Sequence, residues 1–178
     1  GLEDLDPMIA TPHGGLVVFD VSDPSAPHEI GYAPFSSGPN RLLQIEDATL
    51  VADGERGLRV FELEASGPPF EIARRNITMD DAFAVAVRGD LAYLGDQGLR
   101  VIDISDHRNP TPVASVELDG EMTQVAVNEG GDRIAVLSQR TTLHLFSADD
   151  PATPVLASTG PTDGYALAIT GNVVGVVS

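Results

Sequence analysis

The sequence predicts an all-β chain built from one short unit repeated along its whole length. Three observations lead there. The first is a phrase written four times: Gly15-Leu-Val-Val-Phe-Asp-Val-Ser-Asp-Pro24, Gly57-Leu-Arg-Val-Phe-Glu-Leu63, Gly98-Leu-Arg-Val-Ile-Asp-Ile-Ser-Asp106 and Thr142-Leu-His-Leu-Phe-Ser-Ala-Asp-Asp-Pro151. The second is its spacing, since the anchoring leucines Leu16, Leu58, Leu99 and Leu143 are 42, 41 and 44 residues apart. A period of about 40–45 residues made of short strands is that of β-propeller blades. The third is that no segment shows sustained helical periodicity.

Each unit reads as four strands, a to d from the centre outward. The chain enters at Met8 to Pro12, which lines up with strand b. Strand a recurs as Leu42-Leu-Gln-Ile45, Ala84-Val-Ala-Val87, Gln124-Val-Ala-Val127 and Ala166-Leu-Ala-Ile169. Turns follow at Glu46-Asp47, Arg88-Gly89-Asp90, Asn128 to Asp132 and Gly171-Asn172, with the Gly and Asp/Asn that tight hairpins require. Strand b then recurs as Thr49 to Ala52, Leu91 to Leu94, Arg133 to Leu137 and Val173 to Val176, and the repeated phrase is strand c. Strand c is apolar on both faces, with Leu99 and Val101 on one and Ile102 and Ile104 on the other, as expected where blades stack. Strand d is an extended stretch after a proline, such as Pro27 to Tyr32 or Pro112 to Leu118. Between c and d, Asp20, Ser22 and Asp23, like Asp103, Ser105 and Asp106, read as turn formers, because their short side chains bond nearby backbone N–H groups.

The phrase at 98–106, preceded by Val-Arg-Gly-Asp-Leu-Ala-Tyr-Leu-Gly-Asp at 87–96, resembles the LVIVD repeat family of propellers. The first unit, with Ser-Asp-Pro-Ser-Ala-Pro at 22–27, fits as well. The second and fourth units depart from the Ser-Asp-Pro turn, and the fourth lacks the leading glycine. No tryptophan exists to supply a WD40 signature. The resemblance implies a surface-exposed or exported propeller: extracellular, cell-surface or periplasmic. It brings no catalytic residues.

Residues 1–178 form a single propeller domain with approximate units 1–34, 40–76, 82–118, 122–160 and 164–178. The strands run b-c-d, three full blades, then a-b: about four blades' worth with one strand b to spare. An open arc leaves an apolar blade face bare at each end. Three arrangements answer this: a piece of a larger propeller of six to eight blades, which the abrupt stop after Gly175-Val-Val-Ser178 favours; a four-bladed ring; or two chains joined head-to-tail into an eight-bladed ring. The chain opens on Gly1 with no charged-then-apolar leader, so a signal peptide is expected to be removed or to lie outside this segment.

Charge narrows the partners. Ten basic residues, all arginine, stand against 27 acidic ones, for a net charge of −17. Nucleic acid is excluded, since a polyanion meets repulsion, and cationic peptides, basic proteins or metal ions are the natural company. Cysteine is absent, so no disulfide or thiolate metal site exists. No apolar run approaches the roughly 20 residues of a membrane span.

In propellers the d-to-a and b-to-c loops share the face around the central channel. Here that face carries Asp80, Asp81, Asp119, Glu121 and Asp163 as candidate ligand- or cation-binding residues, with Asp53, Glu55 and Asp96 beside them. Calcium wants six to eight oxygens, and such a ring of carboxylates suits a hard cation, although no Asp-x-Asp-x-Asp-Gly loop is present and no other cofactor is implied. His13, His28, His107 and His144 show no metal-ligand spacing. His144 shares its repeat position with Val17, Arg59 and Arg100, which predicts an inter-blade or partly exposed side chain. There is no Gly-x-Ser-x-Gly and no phosphate-cradling glycine loop. Asn76-Ile-Thr78 fits a glycosylation acceptor, and Arg74-Arg75 is too small for a nucleic-acid patch. The expectation is a non-enzymatic ligand- or protein-binding scaffold, completed by further blades or a second chain. A metal-dependent hydrolase of the lactonase kind and a structural spacer are the alternatives.

Overall fold

The computed structural model describes residues 9–11, 14–35, 38–45, 48–63, 67–75 and 82–178. All regular structure among them is β, in five antiparallel sheets that follow the repeat. Blade 1 has three strands, β1 (Ile9–Thr11), β2 (Gly15–Asp20) and β3 (His28–Pro34). Blade 2 is β4 (Arg41–Ile45), β5 (Ala48–Ala52), β6 (Leu58–Glu62) and β7 (Phe70–Arg75). Blade 3 is β8 (Ala84–Arg88), β9 (Leu91–Gly95), β10 (Gly98–Asp103) and β11 (Thr111–Glu117). Blade 4 is β12 (Met122–Val127), β13 (Arg133–Ser138), β14 (Thr142–Ser147) and β15 (Val155–Pro161). The last sheet is the hairpin β16 (Ala166–Thr170) and β17 (Val173–Val177). The b-c-d, three full blades, a-b organisation of the sequence is therefore the organisation of the sheets. Among the described residues no sheet closes, and β16 pairs with β17 rather than with blade 1, so the chain alone does not form a four-bladed ring. No helix among them is long and apolar enough to cross a membrane.

Every blade carries the same irregularity, a register shift between strands c and d at Val18/Phe19, Val60/Phe61, Val101/Ile102 and Leu145/Phe146. A bulge at one repeated place increases the local twist, which lets a flat repeat wind into successive blades. Strand a of one blade neighbours strand a of the next, from β4 through β8 and β12 to β16.

The core lies between blades. Leu99 and Val101 pack toward blade 4 with Tyr93, Ile134 and Phe146, whereas Ile102 and Ile104 pack toward blade 2 with Leu50, Leu58 and Val60. Leu16, Phe35, Val51 and Phe61 seal blade 1 to blade 2. Fully burying each such side chain contributes about 1.5–3 kcal/mol, so these interfaces outweigh any surface ion pair. Tyr93 adds a bond across the blade 3–4 boundary, its hydroxyl donating to the Pro151 carbonyl at 3.0 Å. The c-to-d turns form as expected: the Asp20, Asp23, Asp103 and Asp106 carboxylates accept from the N–H groups of Ser22, Ser25, Ser105 and Arg108 at 2.8, 3.0, 2.8 and 3.0 Å. The serine hydroxyls foremost, together with these N–H groups, hold the Asp20, Asp23 and Asp103 carboxyls below the usual aspartate value.

Candidate functional site

Backbone bonds bring the b-to-c corners and the d-to-a linkers onto one face. The linker between blades 2 and 3 donates from Ala82 to the Gly54 carbonyl at 3.0 Å and from Phe83 to Gly95 at 2.9 Å, so it touches the corner of each blade it joins. In the linker between blades 3 and 4, Met122 donates to the Asp96 carbonyl at 2.7 Å, and the Glu121 carbonyl accepts from the Gln139 N–H at 2.9 Å. Gly164 in the next linker donates to Arg140 at 2.9 Å. This seam holds Asp119, Glu121 and Asp163 around the corner of blade 4.

In blades 2, 3 and 4 the corner is pinned by a side-chain clasp built from one repeat position on strand c, which is Val17 in blade 1. In blade 2 the guanidinium of Arg59, which is 4% exposed, donates to Asp53 at 3.0 Å and to Glu71 at 2.6 Å. It also lies against the rings of Phe35 and Phe61, at 4.0 and 4.8 Å from their centroids, so cation–π contact supports a buried charge. Among the described residues its Nε has no hydrogen-bond partner, as expected for a guanidinium held between rings. Arg74 adds a bidentate pair to Glu71 at 2.7 and 2.9 Å. Burial works against the Glu71 charge, but the bonds from Arg74 and Arg59 prevail and hold its carboxyl down at about 2.

Blade 3 repeats the device with Arg100. Its Nε donates to both oxygens of Asp96, at 3.1 and 2.9 Å, and its two terminal nitrogens reach Glu117. Asp96 is 1% exposed while the Glu117 side chain is 70% exposed, so this clasp is half dry and half wet. Burial raises the Asp96 carboxyl above its ordinary value despite the opposing pull of Arg100, and the bonds to Glu117 lead in raising the Arg100 guanidinium. In blade 4 the same position is His144, as an inter-blade side chain. Its Nε2 meets the Ser138 hydroxyl at 3.0 Å and its Nδ1 meets the Thr159 hydroxyl at 2.6 Å. Burial lowers its imidazole below the ordinary value, against a nearby Asp119 that raises it, so the ring is neutral at pH 7.

A serine hydroxyl on a histidine nitrogen is the geometry of a nucleophile and its base. Here both ring nitrogens are taken by hydroxyls, and Ser138 is 3% exposed. The adjoining cleft of about 360 Å3 is lined by Glu117, Asp119, His144, Leu156 and Thr159, and Ser138 does not reach it. The pair therefore acts as a neutral version of the arginine clasp.

This overturns one expectation. Asp53 and Asp96 do not contribute to an open ring of carboxylates, because each is buried and engaged by an arginine of its own blade. The sequence held the signal in Asp53-Gly-Glu-Arg-Gly-Leu-Arg59 and Asp96-Gln-Gly-Leu-Arg100, where an acid precedes the arginine across a turn that must fold back on itself. Glu55, Asp119, Glu121 and Asp163 are exposed; Asp80 and Asp81 lie outside the described residues, as does the 76–78 triplet. Among the described residues no three acidic or histidine side chains gather closely enough to hold a metal ion.

The corner of blade 4 projects into this acidic rim as the three-residue loop Gln139-Arg140-Thr141, closed by Thr141 donating to the Ser138 carbonyl at 2.9 Å, with Gln139 and Arg140 left-handed at φ 47° and 62°. Gly120 makes room for it: at φ +86°, a Cβ there would sit 2.7 Å from the Gln139 side chain. Arg140 lies 5.1 Å from the ring centroid of Tyr165, itself 64% exposed, leaving a cation and an aromatic ring among the rim carboxylates.

Blade 3 and the strands of blade 1 coincide with the two segments matched by a family model, residues 8–33 and 80–118, whose description is the LVIVD repeat. Those two segments match the LVIVD repeat. Among solved structures, the chain is similar to a functionally unknown protein from Desulfotomaculum acetoxidans DSM 771, at 13% identity and a TM-score of 0.69, covering 82% of this chain and 48% of that one. It is also similar to a protein from Bacteroides fragilis NCTC 9343 described as a candidate 6-phosphogluconolactonase, at 16% identity and a TM-score of 0.65, covering 89% of this chain and 55% of that one. The chain thus spans about half the length of these structures, and likeness at such identities shows the fold alone. No curated protein matches it.

Proposed function

We propose that this LVIVD chain is a non-enzymatic binding scaffold of an exported or cell-surface protein. Its linker face, with Asp80, Asp81, Asp119, Glu121 and Asp163, recruits a basic protein segment or a cation. The observation that carries this reading is the division of labour among carboxylates. Those at the corners are buried against arginine, whereas Asp119, Glu121 and Asp163 face solvent on a chain of net charge −17. An exposed rim of one sign attracts the opposite sign, with a strength that falls as salt rises. The lactonase alternative rests on the description of a structure 16% identical, and the spacer alternative expects no ligand at all.

The test replaces the five rim residues by Asn or Gln and measures binding of an arginine-rich peptide, and separately of calcium, by calorimetry. Peptide binding that falls at least tenfold, with an unchanged melting temperature, supports the rim. Equal peptide binding by both proteins overturns it. Stoichiometric calcium binding without peptide binding moves the reading to the metal-dependent alternative, and silence with both ligands moves it to the spacer.

A further inference from the structure

Strand c turns the residue after its anchoring leucine toward the preceding blade. In blades 2 and 3 that residue is an arginine whose guanidinium lies on carboxylates, Asp53 and Glu71 for Arg59, Asp96 and Glu117 for Arg100. Blade 4 has the shorter, neutral His144 there, bound to Ser138 and Thr159 of its own blade. Beside His144 the cleft of about 360 Å3 stays open, inside the chain, between strand d of blade 3 and strands c and d of blade 4. Its lining is of two kinds. Leu118 from the blade 3 linker and Leu156 from β15, 40% exposed, supply apolar surface. Glu117 and Asp119 supply carboxylates. The oxygens of Glu117 are already on Arg100, whereas Asp119 is exposed and no arginine among the described residues engages it. Asp119 stands near enough to His144 to act on its imidazole through space.

We infer that this cleft seats one arginine side chain of a basic partner, its guanidinium donating to Asp119 and its stem lying on Leu118 and Leu156. The inference rests on the proposed recruitment of basic segments by the acidic rim, and names one seat within it. Sign comes first: carboxylates at the mouth, on a chain of net charge −17, repel an anion and draw a cation. A bare metal ion finds too few ligands. Both nitrogens of His144 are taken by hydroxyls, and among the described residues no three acidic or histidine side chains gather closely enough. Leucine walls beside a carboxylate instead suit a long apolar stem that ends in a charge. A guanidinium is more weakly hydrated than an ammonium, so it gives up water more readily against such walls, and its planar fork matches a carboxylate. Blade 2 shows that an interface of this chain accepts that group at the same strand position, since Arg59 is 4% exposed. The volume falls at the small end of the roughly 300–1,000 Å3 of ligand pockets, which is room for a side chain rather than a folded segment.

The probe is the peptide acetyl-Gly-Gly-Arg-Gly-Gly-amide, followed by nitrogen-15 NMR of the 178-residue chain, with lysine and citrulline in place of arginine as comparisons. The arginine peptide should shift the amide signals of Leu118, Asp119, His144 and Leu156 along one saturating curve. The citrulline peptide, alike in shape but neutral, should bind about tenfold more weakly, as should the lysine peptide, which lacks the fork. Leu156→Trp fills the cleft while leaving every rim carboxylate in place, and Asp119→Asn removes the acceptor. Each should weaken the arginine peptide about tenfold, with an unchanged melting temperature. Shifts that do not saturate or that fall elsewhere, a Leu156→Trp protein that binds like the wild type, or a lysine peptide that binds as tightly as arginine overturns the inference. If an arginine-rich peptide still binds, and is lost when the five rim residues are replaced, the rim reading outlives that failure. If neither peptide binds, both fall.

Discussion

In blade 3 the position after the anchoring leucine is Arg100, clasped by Asp96 and Glu117; in blade 4 it is His144, clasped by Ser138 and Thr159. The two residues occupy the same place in the sheet, face the same side and pin the same b-to-c corner. They differ in charge. Where the arginine appears, a carboxylate stands two residues beyond the strand b partner; where the histidine appears, that residue is a serine. The slot therefore selects a matched polar set rather than a residue type, because an unmatched buried charge or donor costs more than the whole set contributes. Blade 2 is the extreme case, with the driest arginine and two aromatic rings around it.

Removing the cation should hurt in the order of that dryness. Arg59→Ala should cost most, about 3–5 kcal/mol in urea unfolding at pH 7, since it withdraws the guanidinium from a buried carboxylate. The same variant should reshape the acid limb. Glu71 is depressed in the folded state from 4.5 to about 2, so its contribution is present above pH 4.5 and lost as the pH falls toward 2. With Arg59 gone only Arg74 holds that carboxyl down, so the acid loss should be smaller and should finish at a higher pH.

Arg100→Ala should cost less, about 2–3 kcal/mol, because the exposed Glu117 rehydrates and Asp96 already sits above its ordinary value through burial. Its deficit should shrink as the pH falls, because burial without Arg100 favours the neutral Asp96 carboxyl; a deficit that stays constant with pH would mean that Asp96 finds another cation.

His144→Gln should cost least, about 1 kcal/mol at pH 7. Its folded imidazole is held below 6.5, so the unfolded chain binds the proton first. The wild type should lose stability as the pH falls below 6.5, until the folded ring itself titrates. The glutamine variant should lack that slope, and urea midpoints at a series of pH values would show it.

The comparison also marks what was legible in the sequence. Apolar alternation and hairpin residues revealed the strands, because each blade must satisfy the same inter-blade packing; Leu99, Val101, Ile102 and Ile104 divide between two neighbours as read. The repeat position of His144 implies an inter-blade or partly exposed side chain, and the ring is buried on Ser138 and Thr159 of its own blade. The clasps were not foreseen, since Asp53 and Asp96 resemble exposed turn acids until strand pairing brings Arg59 and Arg100 over them. Composition counts charges without saying which are spent inside the protein. Nor did the repeat announce the Gln139-Arg140 turn, because left-handed geometry without glycine leaves no mark in the sequence.

The turns between strands c and d differ in kind from the corners. In blades 1, 3 and 4 they close on contacts two residues apart, such as Asp23 with Ser25, Asp103 with Ser105 and Asp150 with Ala152, to which blades 3 and 4 add contacts across a blade boundary, Arg108 with Glu62 and Tyr93 with Pro151. Such a turn brings its own fastenings with it. A foreign loop of similar span, spliced between strand c and strand d, would inherit a closed frame and leave the corner clasps untouched. It would also give up the bonds that these turns make to the neighbouring blade, Tyr93 to Pro151 and Arg108 to Glu62, so on this side local closure survives an exchange of loops while part of the docking between blades has to be rebuilt.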